Sequence, residues 1–386
     1  MPIFDYANLF LMIRRHTIGS PFSPFLFLLI SLILTPIAGC KPIASLGKNP
    51  SGDDLKRMAS VPNYKDGEFT NLFQQPSQAP RRKVKWTGFL KYFVKRPKGT
   101  KPQKPVPFMR TDLKNLEHDK PVVVWFGHST FLIKTKTATI LADPIFNSYA
   151  GPFSGLIDAF PGSNNHSLKD LPPIDVLLIS HDHYDHLDYT TVRKLRKKIK
   201  YAIVPMGVGS HLRRWGFAAD KIKEVQWDDA VRITDSLRIT STPAHHRSNR
   251  TFAQRKTLWS SYVIEADGHK IYFSGDTGYS PHFSLIGKQH GPFDLALLDC
   301  GQYNPNWTQS HMFPWQTARA AKDLGASLLI PVHWGKFAES THPWNDPVKK
   351  LLPTADSLRL PVYTPYIGQP YELGEAFRPQ RWWDFD

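Results

Sequence analysis

A chain of 386 residues, 41% of them hydrophobic, can bury one large core or two small ones, and its 33 prolines and 24 glycines argue against a helical bundle and for a loop-rich α/β protein. Two cysteines, Cys40 and Cys300, exclude a disulfide framework. Lys and Arg number 49 against 33 Asp and Glu, a net charge of +16, and what that excess does depends on where it sits.

The amino terminus reads as an address. Arg14 and Arg15 precede an apolar run from Phe22 to Ile37, which is broken by Pro24 and Pro36 and is short of the roughly 20 residues a spanning helix needs. The run ends in Ile37-Ala38-Gly39-Cys40, which resembles the bacterial lipoprotein box, so residues 1–39 are expected as a cleaved signal and Cys40 as the lipidated first residue. Translation from Met12 would give the signal an ordinary length. Lys41 is not the aspartate that retains such proteins at the inner membrane, so an outer-membrane, periplasm-facing location is expected. Residues 40–80, with their Pro, Ser, Asn and Gln, read as a tether.

Residues 81–120 read as a basic, aromatic arm on or near the body. Between Arg81 and Arg110 lie eleven Lys or Arg and no acidic residue, interleaved with Trp86, Phe89, Tyr92, Phe93 and Phe108. That mixture suits a polyanionic surface, anionic lipid or nucleic acid, or else a solvated arm.

The catalytic body is expected over 121–386. Strand-like runs at 121–126, 131–134 and 138–142 come first. The apolar strand Val176 to Ser180 then stops at His181-Asp182-His183-Tyr184-Asp185-His186, which packs four candidate metal ligands into six positions. His nitrogen and Asp oxygen are donors zinc accepts when a site keeps a position open for water. Four ligands from one loop cannot surround two ions, and three later clusters sit at the ends of apolar runs: Pro243-Ala244-His245-His246, Ser274-Gly275-Asp276-Thr277-Gly278 and His333-Trp334-Gly335. A basic helix is expected at 190–199, and Pro-rich arms at 97–107 and 361–370 are expected to cover the body. Tyr184, Tyr279, Tyr303, Trp307, Trp315 and Trp334 line a channel for acyl chains or fill the core; the sequence leaves both open.

From about Val122 to Leu351 these motifs resemble the metallo-β-lactamase superfamily, and most of all its branch of N-acyl-phosphatidylethanolamine-hydrolysing phospholipases D, with ascorbate-6-phosphate lactonases as more distant kin. Gly127-His128-Ser129-Thr130, Asp143-Pro144-Ile145-Phe146, Gly151-Pro152, Leu258-Trp259, Tyr279, Tyr303 and Trp307 carry the resemblance together with the metal motifs. It implies an α/β fold of αββα sandwich type with metals at one edge. It also implies two Zn2+, the first held by His181, His183 and His246, the second by Asp185, His186 and His333, with Asp276 between them. The lipid-cleaving relatives have Gln-His-Trp where this chain has His245-His246-Arg247, so His245 stays an alternative ligand and contacts near residue 247 are in doubt.

The implied chemistry is hydrolysis by a water activated between two ions, with Asp185 also orienting it. His311 is expected to bind phosphate or protonate the leaving group, and Asp188 to fix a histidine ring. His128 reads as a turn residue or a support to the ligands, and Asp143-Pro144 as site floor. The leading expectation is a zinc phosphodiesterase of phospholipase D type acting on a phospholipid, anchored to the membrane through Cys40 and the basic segment, without a nucleic-acid partner; a homodimer is possible. A lactonase or esterase, a nuclease and a noncatalytic zinc-binding lipoprotein are the alternatives.

Overall fold

The computed structural model describes residues 40–73, 97–155, 157–251 and 253–385. Two units separate at residues 43 and 44; of the first, only 40–43 are described, as the start of the short helix α1 (Cys40–Ser45). The expected signal and most of the basic segment lie outside the described residues. No described helix is long and apolar enough to cross a membrane.

The second unit starts with α2 (Asp53–Met58) and a small hairpin, β1 (Tyr64–Lys65) and β2 (Glu68–Phe69). This corrects the tether. Met58, Val61 and Phe69 are buried with Ala244, Leu258 and Trp259, and Arg213 Nη2 donates to both carboxylate oxygens of Asp54 at 2.6 and 2.7 Å. Three apolar side chains among polar neighbours suffice to dock a segment whose overall composition looks like a linker.

The rest is built from β3 (Val122–Trp125), β4 (Phe131–Lys134), β5 (Thr139–Ala142), β6 (Ile174–Leu178), α3 (Tyr189–Leu195), β7 (Ile199–Pro205), α4 (Gly209–Arg214), β8 (Ile222–Val225), β9 (Ala230–Thr234), β10 (Leu237–Thr242), β11 (Ser261–Ala266), β12 (His269–Phe273), α5 (His282–His290), β13 (Leu295–Asp299), α6 (Pro314–Asp323), β14 (Leu329–Val332), α7 (Asp346–Ser357) and β15 (Pro370–Glu372). One sheet has the order β15-β3-β4-β5-β6-β7-β8 and the other β14-β13-β12-β11-β10-β9. The second Pro-rich arm thus ends as an edge strand, β15, antiparallel to β3. The first arm is tied to the body by Val106 N donating to Pro161 O at 2.8 Å.

Side chains alternate faces along a strand, and here both faces are apolar. Val123, Trp125, Ile133 and Leu178 of the first sheet share one core with Ile239, Tyr262, Phe273 and Leu297 of the second. Their neighbours Val122, Val124 and Leu177 face Val192 of α3 and Leu212 of α4, while Tyr272, Ala296 and Leu298 face Phe283 of α5, Ala318 of α6 and Leu351 of α7. A sheet buried on both faces needs helices outside, which is the expected αββα sandwich. The expected basic helix is shorter than its charge run: it ends at Leu195, and Lys200 lies in β7 with its side chain in solvent.

Pairing fixes where the loops go. In the first sheet β3, β5 and β6 share one direction, and in the second β10, β12, β13 and β14 do. Each of these strands ends in a loop that carries a candidate site residue.

Candidate metal centre

The loop after β6 is built on Asp143, the residue that follows β5. Its carboxylate, fully buried, accepts from Ser180 N at 2.8 Å, from Ser180 Oγ, and from His186 Nδ1 at 2.7 Å. With Nδ1 donating outward, His186 turns Nε2 inward, 2.9 Å from Asp185 Oδ2 and 3.1 Å from Asp276 Oδ2; such an outer acceptor is what sets a ligand histidine's tautomer. Asp188, expected to fix a histidine ring, instead caps α3 by accepting from Thr190 N and Thr191 N at 3.3 and 2.9 Å. The ring-fixing carboxylate is Asp143.

Gly275 lets the next loop come close. It has φ of +56°, and a Cβ there would lie 2.7 Å from Ser180 Cβ. Asp276 therefore reaches the middle of the site, 3.7 Å from His181 Nε2, 3.8 Å from His246 Nε2 and 3.2 Å from His333 Nδ1. His246 Nε2 is 3.3 Å from His183 Nδ1, whereas His245 joins none of the clusters. Of the two alternatives the fold thus places His246 at the centre.

His333 follows β14 at φ 66°, and its N donates to His128 O at 2.9 Å while His128 N donates to Trp334 O at 2.8 Å. This bridge brings His128 into the site. Its Nε2 donates to Asp185 Oδ2 at 2.8 Å, so it supports a ligand as well as turning the chain.

All seven expected ligands converge. Potential donor atoms group as His181, His183, His246 and Asp276, as His128, Asp185, His186 and His333, and as Asp276, His311 and His333, each group within 4.8 Å. His311 lies parallel to His333, ring centres 5.0 Å apart, and its Nδ1 is 2.9 Å from Asp299 Oδ2.

A model of the beta-lactamase superfamily domain matches residues 139–334, the span that carries every one of these loops except that of His128. The chain belongs to the metallo-β-lactamase superfamily. It is a metal-dependent hydrolase of that superfamily. An uncharacterised protein of Mycobacterium tuberculosis is 37% identical over 335 residues, covering 83% of this chain and 87% of its own length. The N-acyl-phosphatidylethanolamine-hydrolyzing phospholipase D 1 of Caenorhabditis elegans is 31% identical over 258 residues, covering 61% of this chain and 70% of its own. Among solved structures, a possible metal-dependent hydrolase of Veillonella parvula superposes with a TM-score of 0.52 at 18% identity, over 66% of this chain and 100% of that one. That likeness concerns the fold.

The donors fit the cations that the superfamily implies. His181 Nε2 and His333 Nε2 are buried without a hydrogen-bond partner, and each such orphan costs about 1–3 kcal/mol unless something pairs with it. Electrostatics point the same way. Burial opposes charge on His186, yet Asp185, Asp276 and Asp143 together hold its pKa well above the usual value, so the three carboxylates call for positive charge at this place. Burial raises Asp276 to about 7.

Several supports were missed in the sequence. Asn71, in the supposed tether, accepts from His246 N at 3.0 Å and from Trp259 Nε1 at 2.9 Å, and donates to His246 O at 3.0 Å. Arg250 is buried and bridges Ser45 O, at 2.9 Å, to Asp182 O, at 2.8 Å, under the ring of Tyr184. The amino-terminal segment therefore braces two ligand loops. Asn71→Ala is expected to weaken metal retention by about 10–100-fold, as loss of a ligand's support does elsewhere; chelator competition measures it, and unchanged retention would refute the brace.

The aromatic residues divide. Trp334 is buried between Trp125 and Trp382, with ring centres at 5.5 and 5.1 Å, and Tyr303 is buried and donates to Asp346. Trp315 is 52% exposed. Arg247 is exposed, and its charge acts on His183, His246 and His311.

Lys336 lies under the same edge. It is fully buried and donates to Ile145 O at 2.7 Å, and burial lowers its pKa to about 7 from 10.5. Between those values the unfolded chain holds a proton that the folded one has released, so stability contributed here rises with pH and falls away toward 7. Lys336→Met is expected to flatten that rise in denaturant titrations between pH 7 and 10; an unaltered slope would refute the assignment.

Proposed function

We propose that this protein is a two-zinc phosphodiesterase that cleaves N-acyl-phosphatidylethanolamine or a related phospholipid on the headgroup side of the phosphate, releasing phosphatidic acid. One observation carries the reading: two donor clusters with Asp276 in contact with both, in a chain 31% identical to a relative named for that activity. His181, His183, His246 and Asp276 would hold one ion, and Asp185, His186, His333 and Asp276 the other. When bound, such a pair supplies Lewis acidity and brings the pKa of a water toward neutrality.

The chain's own residues do the rest. Asp185, steadied by His128, orients the attacking water and takes its proton. His311 faces the same space and meets the phosphoryl group or the departing oxygen. Lipidated Cys40 and the basic, aromatic segment 81–110 would keep the enzyme on the surface that holds its substrate, on the periplasmic side of an outer membrane; exposed Lys98, Lys101 and Lys104 belong to that segment.

Purified protein should release phosphatidic acid from vesicles of N-acyl-phosphatidylethanolamine or phosphatidylethanolamine, and a chelator should stop it. Turnover of sugar-phosphate lactones or of nucleic acid instead, with every phospholipid inert, would refute the substrate and leave the hydrolase standing.

A further inference from the structure

Asp299 is the last residue of β13 and is fully buried. Three bonds fix it: its N donates to Ser274 Oγ at 2.9 Å, its carbonyl accepts from Thr317 Oγ1 at 2.8 Å, and its Oδ2 accepts from Thr277 N at 3.3 Å. The same Oδ2 lies 2.9 Å from His311 Nδ1. A buried carboxylate is costly unless it is paired, and here the His311 ring pairs it.

His311 is held on its other sides by rings. It stacks on His333 with 7° between planes and meets His246 edge-on, with ring centres 5.2 Å apart. Its potential donor atom lies within 4.8 Å of those of Asp276 and His333. Two histidines assigned to the cations share this design: His186 gives Nδ1 to Asp143, and His246 Nδ1 lies 3.0 Å from Ser310 O. In each, an acceptor behind the ring aims the far nitrogen into the site.

We propose that Asp299 is the positioning residue of His311: by accepting from Nδ1–H it fixes the rotation of the ring and favours its doubly protonated form, so that Nε2–H is the donor that meets the substrate's phosphoryl oxygens. This rests on the phosphodiesterase reading for the identity of the substrate, and on geometry alone for the pair. A carboxylate behind a histidine acts through the ring and touches nothing that reacts. Its removal therefore costs turnover and spares binding of the cations.

The test uses the metal-loaded full chain and four variants: Asp299→Ala, Asp299→Asn, His311→Ala, and the double variant Asp299→Ala with His311→Ala. With a phosphodiester substrate, Asp299→Ala should lower kcat about 10²-fold, with KM within about threefold, and the double variant should be no slower than His311→Ala, as for residues that act as one unit. Asp299→Asn keeps the size and one acceptor oxygen, and should lose less. Metal content should stay at the wild-type value in all four. Additive losses, or loss of metal from either Asp299→Asn or His311→Ala, would overturn the proposal, the latter by placing His311 among the ligands.

A second arm needs no turnover. In protein labelled with 15N at histidine, the His311 Nδ1 proton should give an exchange-protected resonance that His311→Ala removes and Asp299→Asn shifts or removes. If Asp299→Asn leaves it unchanged, the pairing is wrong. If the wild type cleaves no diester, the functional reading fails, while this arm still decides the pair.

Discussion

Replacing Asp276 with asparagine is expected to lower hydrolysis by about 10³-fold or more and to reduce the bound metal. The estimate follows from geometry. Asp276 Oδ2 lies 3.1 Å from His186 Nε2 in one set of donors and 3.7 Å from His181 Nε2 in the other, and Oδ1 lies 3.2 Å from His333 Nδ1. No other carboxylate among the described residues touches both sets in this way. A Lewis-acid pair stabilises a transition state by several kcal/mol, and each 1.36 kcal/mol is tenfold in rate. Asparagine keeps the shape and removes the charge that the two cations of the proposed function would need between them.

The same substitution has an opposite expected effect on the metal-free protein. Burial raises the Asp276 carboxyl to about 7 even with the His186 imidazolium 3.1 Å away, so near neutral pH the metal-free fold carries a carboxylate whose desolvation that one partner does not offset. Removing a buried charge whose desolvation outweighs its pairing is neutral or stabilising. Elemental analysis, turnover and melting with and without chelator together decide the matter. A variant that keeps its metal and its turnover would sink the assignment of Asp276, and a metal-free variant clearly less stable than the metal-free wild type would sink the electrostatic argument.

What the sequence revealed and what it hid follow one physical rule. A ligand loop was legible because the strand before it is a short apolar run and the residues after it are chemically conspicuous: β6 into His181, β10 into His246, β12 into Asp276, β14 into His333. Asp143 and Asp299 close strands β5 and β13 in the same way, yet Asp143-Pro144 was legible only as site floor, not as the partner of a ligand ring, and Asp299 stands in no motif at all. Their partners lie 43 and 12 residues away, at His186 and His311. Asn71 was hidden more thoroughly, since an amide in a polar stretch looks like linker until His246, 175 residues later, is folded against it. Asp188 is the reverse case. Asp before Tyr189-Thr190-Thr191 carries the signature of a helix N-cap, and the neighbouring metal motif drew the reading away from it.

Acid should undo this protein in a way that one buried histidine makes measurable. His282, the first residue of α5, is buried; its Nδ1 meets Ser280 Oγ and its Nε2 lies 3.4 Å from Thr277 Oγ1. Burial lowers its pKa from 6.5 to about 3, with His245 adding repulsion. In the window between those values the unfolded chain binds one proton more than the folded chain. Stability is therefore fully present above 6.5 and lost as pH falls toward 3, at roughly 1.4 kcal/mol per pH unit for this side chain, or about 2 kcal/mol between pH 7 and 5. His166, His211 and His342, also lowered by burial, act in the same direction. Asp143 and Asp276 act in the other, because burial raises them and the folded chain keeps their protons longer. Comparing wild type with His282→Gln isolates the single residue: in chelator, urea unfolding at pH 7 and at pH 5 should show the wild type losing about 2 kcal/mol more than the variant. Equal losses would mean that His282 is protonated inside the fold, and that the hydroxyls of Ser280 and Thr277 accommodate a charge for which the surrounding core offers no counter-ion.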